Sequence, residues 1–420
     1  MLHRKSRLSR RAFTATALSA LVASGGAMAA GSARASGSDR DQRRATREMR
    51  GVWVATVANR DWPSRQGLTA DEQRAELIAH LDNAAKCNLN TVILQVRPTA
   101  DALWPSPYEP WSQVLSGTQG QDPGWDPLGT AVEEAHARGL QLHAWCNPYR
   151  VANHTDLDKL AETHPARVRP EWVVAYGGKL YYNPGLPEVR GFVQQAMLDA
   201  VERYPVDAVH FDDYFYPYPV AGQNFDDDAA YEAHGTDFAD RADWRRDNID
   251  RLIQEMAAGI RRIRPTTQFG ISPFGVWRNA ATDPLGSDTR GGVQTYDDLY
   301  ADTRKWVREG WIDYICPQLY WNIGFAVADY AKLLPWWAEV AQGSRTQLYL
   351  GEALYKAGDP AQPAAWQDQA ELSRHLALAK DQPGACGHVF FAARDMAEDR
   401  IGAMARVVAD HYGQPAITPR

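Results

Sequence analysis

Eight short apolar runs, spread from residue 52 to residue 391, constrain this chain more than any other feature. They are 52–57, 91–96, 140–145, 206–211, 268–272, 312–316, 347–351 and 387–391. Each is apolar at nearly every position and bounded by polar or turn residues, the pattern of a parallel strand covered on both faces. Amphipathic stretches at helical spacing separate them, at 70–86, 127–138, 187–203, 244–263, 296–308, 327–340, 366–380 and 398–411. Eight strands alternating with eight helices predict an α/β fold of the (β/α)8 TIM-barrel type, a single domain with long loops after the strands. The competing architecture, an open doubly wound sheet, lacks its fingerprint here, because no G-x-G-x-x-G follows a strand.

Local signals agree with this division. Thr69-Ala70-Asp71-Glu72 is a capping signal for the first helix, Pro187-Glu188 opens the third, and Gly139 closes the second. The segments after strand ends are long (97–126, 146–186, 212–243 and 273–295), whereas returns from helix to strand are short. In a barrel, loops after strands form the face where active sites lie.

The amino terminus reads as an export signal. Arg4, Lys5, Arg7, Arg10 and Arg11 precede a run of small apolar residues, and Ala33-Arg34-Ala35 fits a cleavage site. Ser9-Arg10-Arg11-Ala12-Phe13 has the twin-arginine signature, which predicts export of the folded chain to the envelope or beyond. The expected organisation is a signal peptide at 1–35, a disordered leader at 36–47, the barrel at 48–412 and a tail at 413–420. No other stretch predicts a membrane anchor once the signal is removed. Residues 1–35 carry six Lys and Arg and no acid, so maturation takes the formal charge from −7 to −13. That balance argues against nucleic acid as a partner. Cys87, Cys146, Cys316 and Cys386 are too widely spaced for a zinc or redox motif and read as small buried apolar residues, with room for one disulfide.

The run 206–211 ends in His210-Phe211-Asp212-Asp213-Tyr214-Phe215-Tyr216-Pro217. Burying an unpaired carboxylate is costly, so two adjacent acids where a buried strand meets open space suggest a site. Adjacent side chains on a strand point to opposite sides, so one of the two is expected to face inward. The other strand ends mix two-handed polar groups with aromatic plates: Gln95 and Arg97; Trp145, Asn147, Tyr149 and Arg150; Trp277 and Arg278; Gln318, Tyr320 and Trp321; and Glu352. Trp104 and Trp111 lie in the loop after the second strand, with Asp101 and Glu109. Sugars need this combination, since their hydroxyls take bidentate partners and their C–H faces pack on rings. Hydrolysis of a glycoside needs two carboxyl groups, one protonated and one ionised. Asp213 is the expected principal acid or nucleophile, and Asp212 is expected to orient Arg97 or a substrate hydroxyl. Asp101, Glu109 or Glu352 would supply the second carboxylate.

Other chemistries fit less well. His143 and His210 form no H-x-H pair, so no metal is expected. Asp226-Asp227-Asp228 lacks EF-hand spacing and reads as a solvated turn. There is no G-x-S-x-G elbow and no sign of a cofactor. A barrel that holds a glycan without cleaving it is the alternative reading.

Glu48–Trp53 leading to Asp61-Trp62-Pro63, Gln95–Pro98, Ala102–Ser106, His143–Arg150, His210–Pro217, Gly270–Gly275 and Pro317–Trp321 together resemble the glycosyl-hydrolase-like family 10 domain. The resemblance covers roughly residues 47–395. It implies a TIM barrel related to glycoside hydrolases, exported, and acting on envelope or other polysaccharide, with bacterial cell-wall glycan as the expected substrate.

Overall fold

The apolar runs do become strands. The computed structural model describes residues 46–419; the predicted signal peptide and most of the leader lie outside them. In chain order the strands are β1 (Met49–Val54), β2 (Thr91–Arg97), β3 (Gln141–Cys146), β4 (Arg150–Ala152), β5 (Val173–Tyr176), β6 (Lys179–Tyr182), β7 (Ala208–Phe211), β8 (Gln268–Ile271), β9 (Tyr314–Ile315), β10 (Gln347–Glu352) and β11 (Ala385–Phe390). The eight predicted strands close into a parallel barrel in the order β1-β11-β10-β9-β8-β7-β3-β2. The other three form an antiparallel sheet, β4-β6-β5, inside the long segment after β3. These short strands were not expected from the sequence, because three or four residues carry no usable periodicity.

Burial on both faces explains the uninterrupted apolar runs. Along β10, Leu348 and Leu350 pack with the helices, while Tyr349 faces the lumen with Trp53, Ile93, Trp145, Tyr314 and Val389. The lumen is thus a packed core and not a pore. Gly270 is demanded by that packing: a Cβ there would fall within the ring of Tyr314.

The helices Ala70–Lys86, Pro127–Ala137, Pro187–Arg203 and Arg241–Ile263 form the outer layer where expected. Thr69 and Glu72 make the reciprocal capping box that the sequence signalled. Two predicted helices are broken at left-handed residues. The stretch 296–308 divides into Thr295–Asp298 and Thr303–Arg308, with Tyr300 between them at φ 51°. The stretch 398–411 is interrupted at Asp399 (φ 38°) and Gly402 (φ 74°), so Ala403–His411 starts late. A left-handed residue cannot continue a right-handed helix. All four cysteines are free thiols, and Cys146 and Cys316 are buried.

At the amino-terminal rim, residues 413–419 return to the start of the barrel. Ile417 bridges Arg47, and Arg50 and Asn90 donate to the carbonyls of Gln414 and Ala416.

Candidate active site

All eight barrel strands send residues to one hollow at their carboxyl ends, with a volume of about 460 Å³. That is the size of a small-ligand cleft. Its walls are aromatic: Trp53, Trp145, Tyr214, Tyr218, Phe274, Tyr320, Trp321, Tyr355 and Phe391. Among the described residues, Asp212 and Asp213 are the only carboxylates lining it, and Arg60, Arg150 and Lys356 are the cations.

β7 ends at Phe211, so the chain leaves the strand pleat just before the two aspartates. Both therefore line the hollow, where strand alternation predicts one. Asp212 Oδ2 accepts from Trp145 Nε1 (3.1 Å) and from the Asn147 amide, and Oδ1 accepts from the Tyr214 backbone N–H (3.3 Å). Asp213 Oδ1 accepts from Gln318 Nε2 (3.2 Å), and Oδ2 meets the Tyr218 hydroxyl. Burial pushes both carboxyls above their ordinary range, and the charge of Asp213 adds to the rise at Asp212, which reaches about 7. Such a value belongs to the pair, which holds one proton near neutral pH.

The two carboxyls differ in their hydrogen-bond partners. The backbone N–H groups of Thr56 and Val57 both donate to Gln95 Oε1 at 2.9 Å. The Gln95 amide must then donate to Asn147 Oδ1, which it does at 2.6 Å, alongside Arg150 Nη2 at 3.0 Å. The Asn147 NH2 is left facing Asp212. All three partners of Asp212 are pure donors, which favours its ionised form against the burial that pushes its carboxyl up. The Tyr218 hydroxyl beside Asp213 can accept as well as donate, so a protonated Asp213 would have a partner for its O–H.

The floor beneath the pair is a neutral network. Tyr314 Oη lies 2.9 Å from Nδ1 of both His143 and His210. His210 Nε2 meets Trp53 Nε1 (3.2 Å) and Ser272 Oγ (2.9 Å). Burial lowers His143 to about 4 and lowers His210 as well, so both imidazoles are uncharged at pH 7.

Several predicted site residues lie elsewhere. Glu109 does not reach the hollow: it forms a fully buried ion pair with Arg97, whose Nε donates at 2.7 Å. Arg97 accordingly does not touch Asp212. It also donates to the carbonyls of Asn147 and Pro148, and so pins the loop that carries Asn147. Asp101 is buried beside Thr99 (3.2 Å) and pushed up to about 6 by desolvation, outside the hollow. Glu352 has the outward parity of Leu348 and Leu350, so it points to the helices. There it meets Tyr330 Oη (2.8 Å), His375 Nδ1 (2.8 Å) and His388 Nδ1 (2.9 Å), and the two histidines hold its carboxyl below the ordinary range. None of the three candidates for a second carboxylate is therefore in reach of a substrate. Trp104 is a core residue donating to Asp199 (2.7 Å), and Tyr149 is fully buried. Trp277 donates to Asp302 (2.9 Å), Arg278 pairs with Asp283 and Asp297, and Trp111 stands apart from the hollow.

Gln95, Trp145, Arg150, Tyr214, Gln318, Tyr320 and Trp321 do line it, and Asn147 stands behind Asp212. Sequence reasoning missed Trp53, Arg60, Tyr218, Phe274, Tyr355, Lys356 and Phe391 as wall residues. Parity would have found Trp53 and Phe391, which fall on the lumen face at the first and last strand ends.

A family profile described as glycosyl hydrolase-like 10 matches residues 48–368. The chain is 49% identical over 379 residues to "Glycosyl hydrolase YngK" of Bacillus subtilis (strain 168), covering 90% of this chain and 74% of that protein. It is 41% identical over 369 residues to "Glycosyl hydrolase DigH" of Escherichia coli (strain K12), covering 83% and 84%. Among solved structures, the glycoside hydrolase domain of PgaB (BpsB) from Bordetella bronchiseptica superposes with a TM-score of 0.55 at 12% identity, covering 86% of this chain and 97% of that one. Alpha-L-fucosidase isoenzyme 2 from Paenibacillus thiaminolyticus gives 0.54 at 13%, covering 87% and 49%. These two likenesses establish the shared barrel fold.

Proposed function

The chain belongs to the glycosyl hydrolase-like 10 family, and from that premise we propose that it hydrolyses O-glycosidic bonds in the glycan strand of the bacterial cell wall. The twin-arginine signature supports an exported enzyme of the envelope. One observation carries the catalytic reading: Asp212 and Asp213 stand side by side in the wall of an aromatic hollow, their carboxyls both pushed up by burial.

Asp213 gives a proton to the glycosidic oxygen as its bond to the anomeric carbon breaks. Both acids leave the same strand end, so they approach the sugar from one side. No third carboxylate lines the hollow among the described residues, and none faces the pair across it. The nucleophile that fits is the substrate's own 2-acetamido oxygen, the group that substrate-assisted glycosidases use. Its bond to the anomeric carbon forms while the leaving bond breaks, and ionised Asp212 accepts the amide N–H and offsets the positive charge. Water then adds at the anomeric carbon, the acetamide is restored, and the water's proton returns to Asp213. The product retains its anomeric configuration.

The test is release of reducing ends from purified, peptide-free wall glycan. Wild type is expected to release them, and Asp213→Asn to bind the glycan without cleaving it. Removal of the N-acetyl groups is expected to stop turnover. Full activity in Asp213→Asn, or turnover of a storage or plant polysaccharide in place of wall glycan, would overturn the reading. A wild type that binds glycan and cleaves none would leave a carbohydrate-holding barrel.

A further inference from the structure

The wall opposite the acids is basic, and its lysine has no carboxylate partner among the described residues. In the ring of eight strands, β11 lies four places from β7, directly across the mouth. Phe391 directly follows β11, Arg60 follows β1 on one side, and Lys356 follows β10 on the other. Arg60 is neutralised by Asp61 and by Asp395 at 2.8 Å. Arg150, nearer β7, lies in the field of the aspartate pair. Lys356 is half-buried in the wall, with its ammonium held at 2.7 Å by the carbonyl of Tyr320. Among the described residues no carboxylate lies within ion-pair distance of it. Its other close groups are the rings of Tyr355 and Trp366, each 5.8 Å from Nζ.

A cation kept in a half-dry wall without a counter-charge is unfavourable in the empty protein. It becomes favourable when a ligand brings the missing anion, because a hydrogen bond between two charged groups is the strong kind. Elsewhere this chain matches its cations generously: Arg97, Arg245, Arg278 and Arg374 all hold carboxylates. Lys356 is matched by a carbonyl alone, and it stands in the substrate hollow of a protein whose predicted mature form carries a formal charge of −13.

We propose that Lys356, framed by Tyr320 and Tyr355, forms a subsite for a carboxylate carried on a sugar ring of the substrate. The subsite rests on the reading of the hollow as a glycosidase cleft and adds to it: the enzyme reads an acidic sugar on the side of the mouth remote from Asp213. Lys356 does not touch the reacting bond, so its contribution is to binding and register.

The experiment uses peptide-free wall glycan and the same glycan after carbodiimide activation and borohydride reduction of its carboxyls to alcohols. Wild type is expected to lose about tenfold in kcat/KM on reduction, mostly through KM, the worth of one charged hydrogen bond. Lys356→Met is expected to show the same loss on the acidic glycan and no further loss on the reduced one, and Lys356→Arg to restore most of it. Binding of both glycans to Asp213→Asn is measured in parallel by calorimetry. A preference for the acidic glycan there supports the subsite even if no hydrolysis is found, in which case the catalytic reading alone falls. Hydrolysis that is indifferent to the carboxyls, or an equal loss on both glycans in Lys356→Met, would overturn the subsite and leave the catalytic reading intact.

Discussion

Asp212 and Asp213 act as a single titrating unit, and their pH behaviour follows from their burial. Turnover needs one proton on the pair, so activity is expected to fall as pH rises through about 7, and to fall again in acid as the second proton is taken up. A pH–rate profile of wild type checks both limbs. Stability follows the same sign. Burial raises the folded pair above the ordinary aspartate value of about 3.9, so the fold favours the protonated form and loses stability as pH rises through the folded value. Asp213→Asn removes one buried charge, and its Tm is expected to exceed that of wild type by more at pH 8 than at pH 5. Glu109 carries a different kind of prediction. Its removal leaves the Arg97 guanidinium buried and unpaired, so Glu109→Gln is expected to cost about 3–5 kcal/mol in denaturant unfolding. At this scale the sequence revealed the acid pair, because two carboxylates closing an apolar run carry a desolvation cost that a site justifies. It did not separate Gln95 from Glu352. A polar residue at a strand end looks the same in sequence whether it faces the lumen or the helices, and the partners that decide, Tyr330 and His375, come from distant helices.

Strands were readable because burial on both faces leaves an uninterrupted apolar signature, whereas β9, with only Tyr314–Ile315 paired, owes its place to its neighbours. The helix break at Tyr300 was not readable, since tyrosine does not announce a left-handed turn, whereas Gly402 marks the break after Asp399. Packing between elements is most exacting where β8 passes β9. Gly270→Ala puts a methyl inside the Tyr314 ring, and the variant is expected to lose several kcal/mol or fail to accumulate as folded protein. Tyr314→Ala removes the ring and opens space. The double variant is therefore expected to be less destabilised than the sum of the two changes, a coupling that a double-mutant cycle in urea measures. The three short strands after β3 lift Arg150 into the wall beside Tyr214, over whose ring its guanidinium lies at 5.0 Å.

The molecule as a whole separates its duties between two rims. At the carboxyl ends of the strands lie the acids, the aromatic plates and the cations. At the amino-terminal rim, residues 413–419 tie the first strand to the last helix through Ile417, Gln414 and Ala416. Deleting 413–419 is expected to lower Tm by several degrees while leaving KM for glycan unchanged, because this segment stands at the far end of the barrel from the hollow. Thermal melts and Michaelis kinetics on the truncated chain separate the two effects. The division is visible in outline in the sequence itself, in the lengthened segments after strands and the short returns before them.

Neighbouring positions in one polypeptide cannot drift apart. Loops around the mouth are free to be exchanged over evolutionary time, and with them the choice of glycan. The spacing between proton donor and charged companion is fixed by a single peptide unit. A descendant of this protein could thus acquire a new diet while inheriting its stereochemistry unaltered.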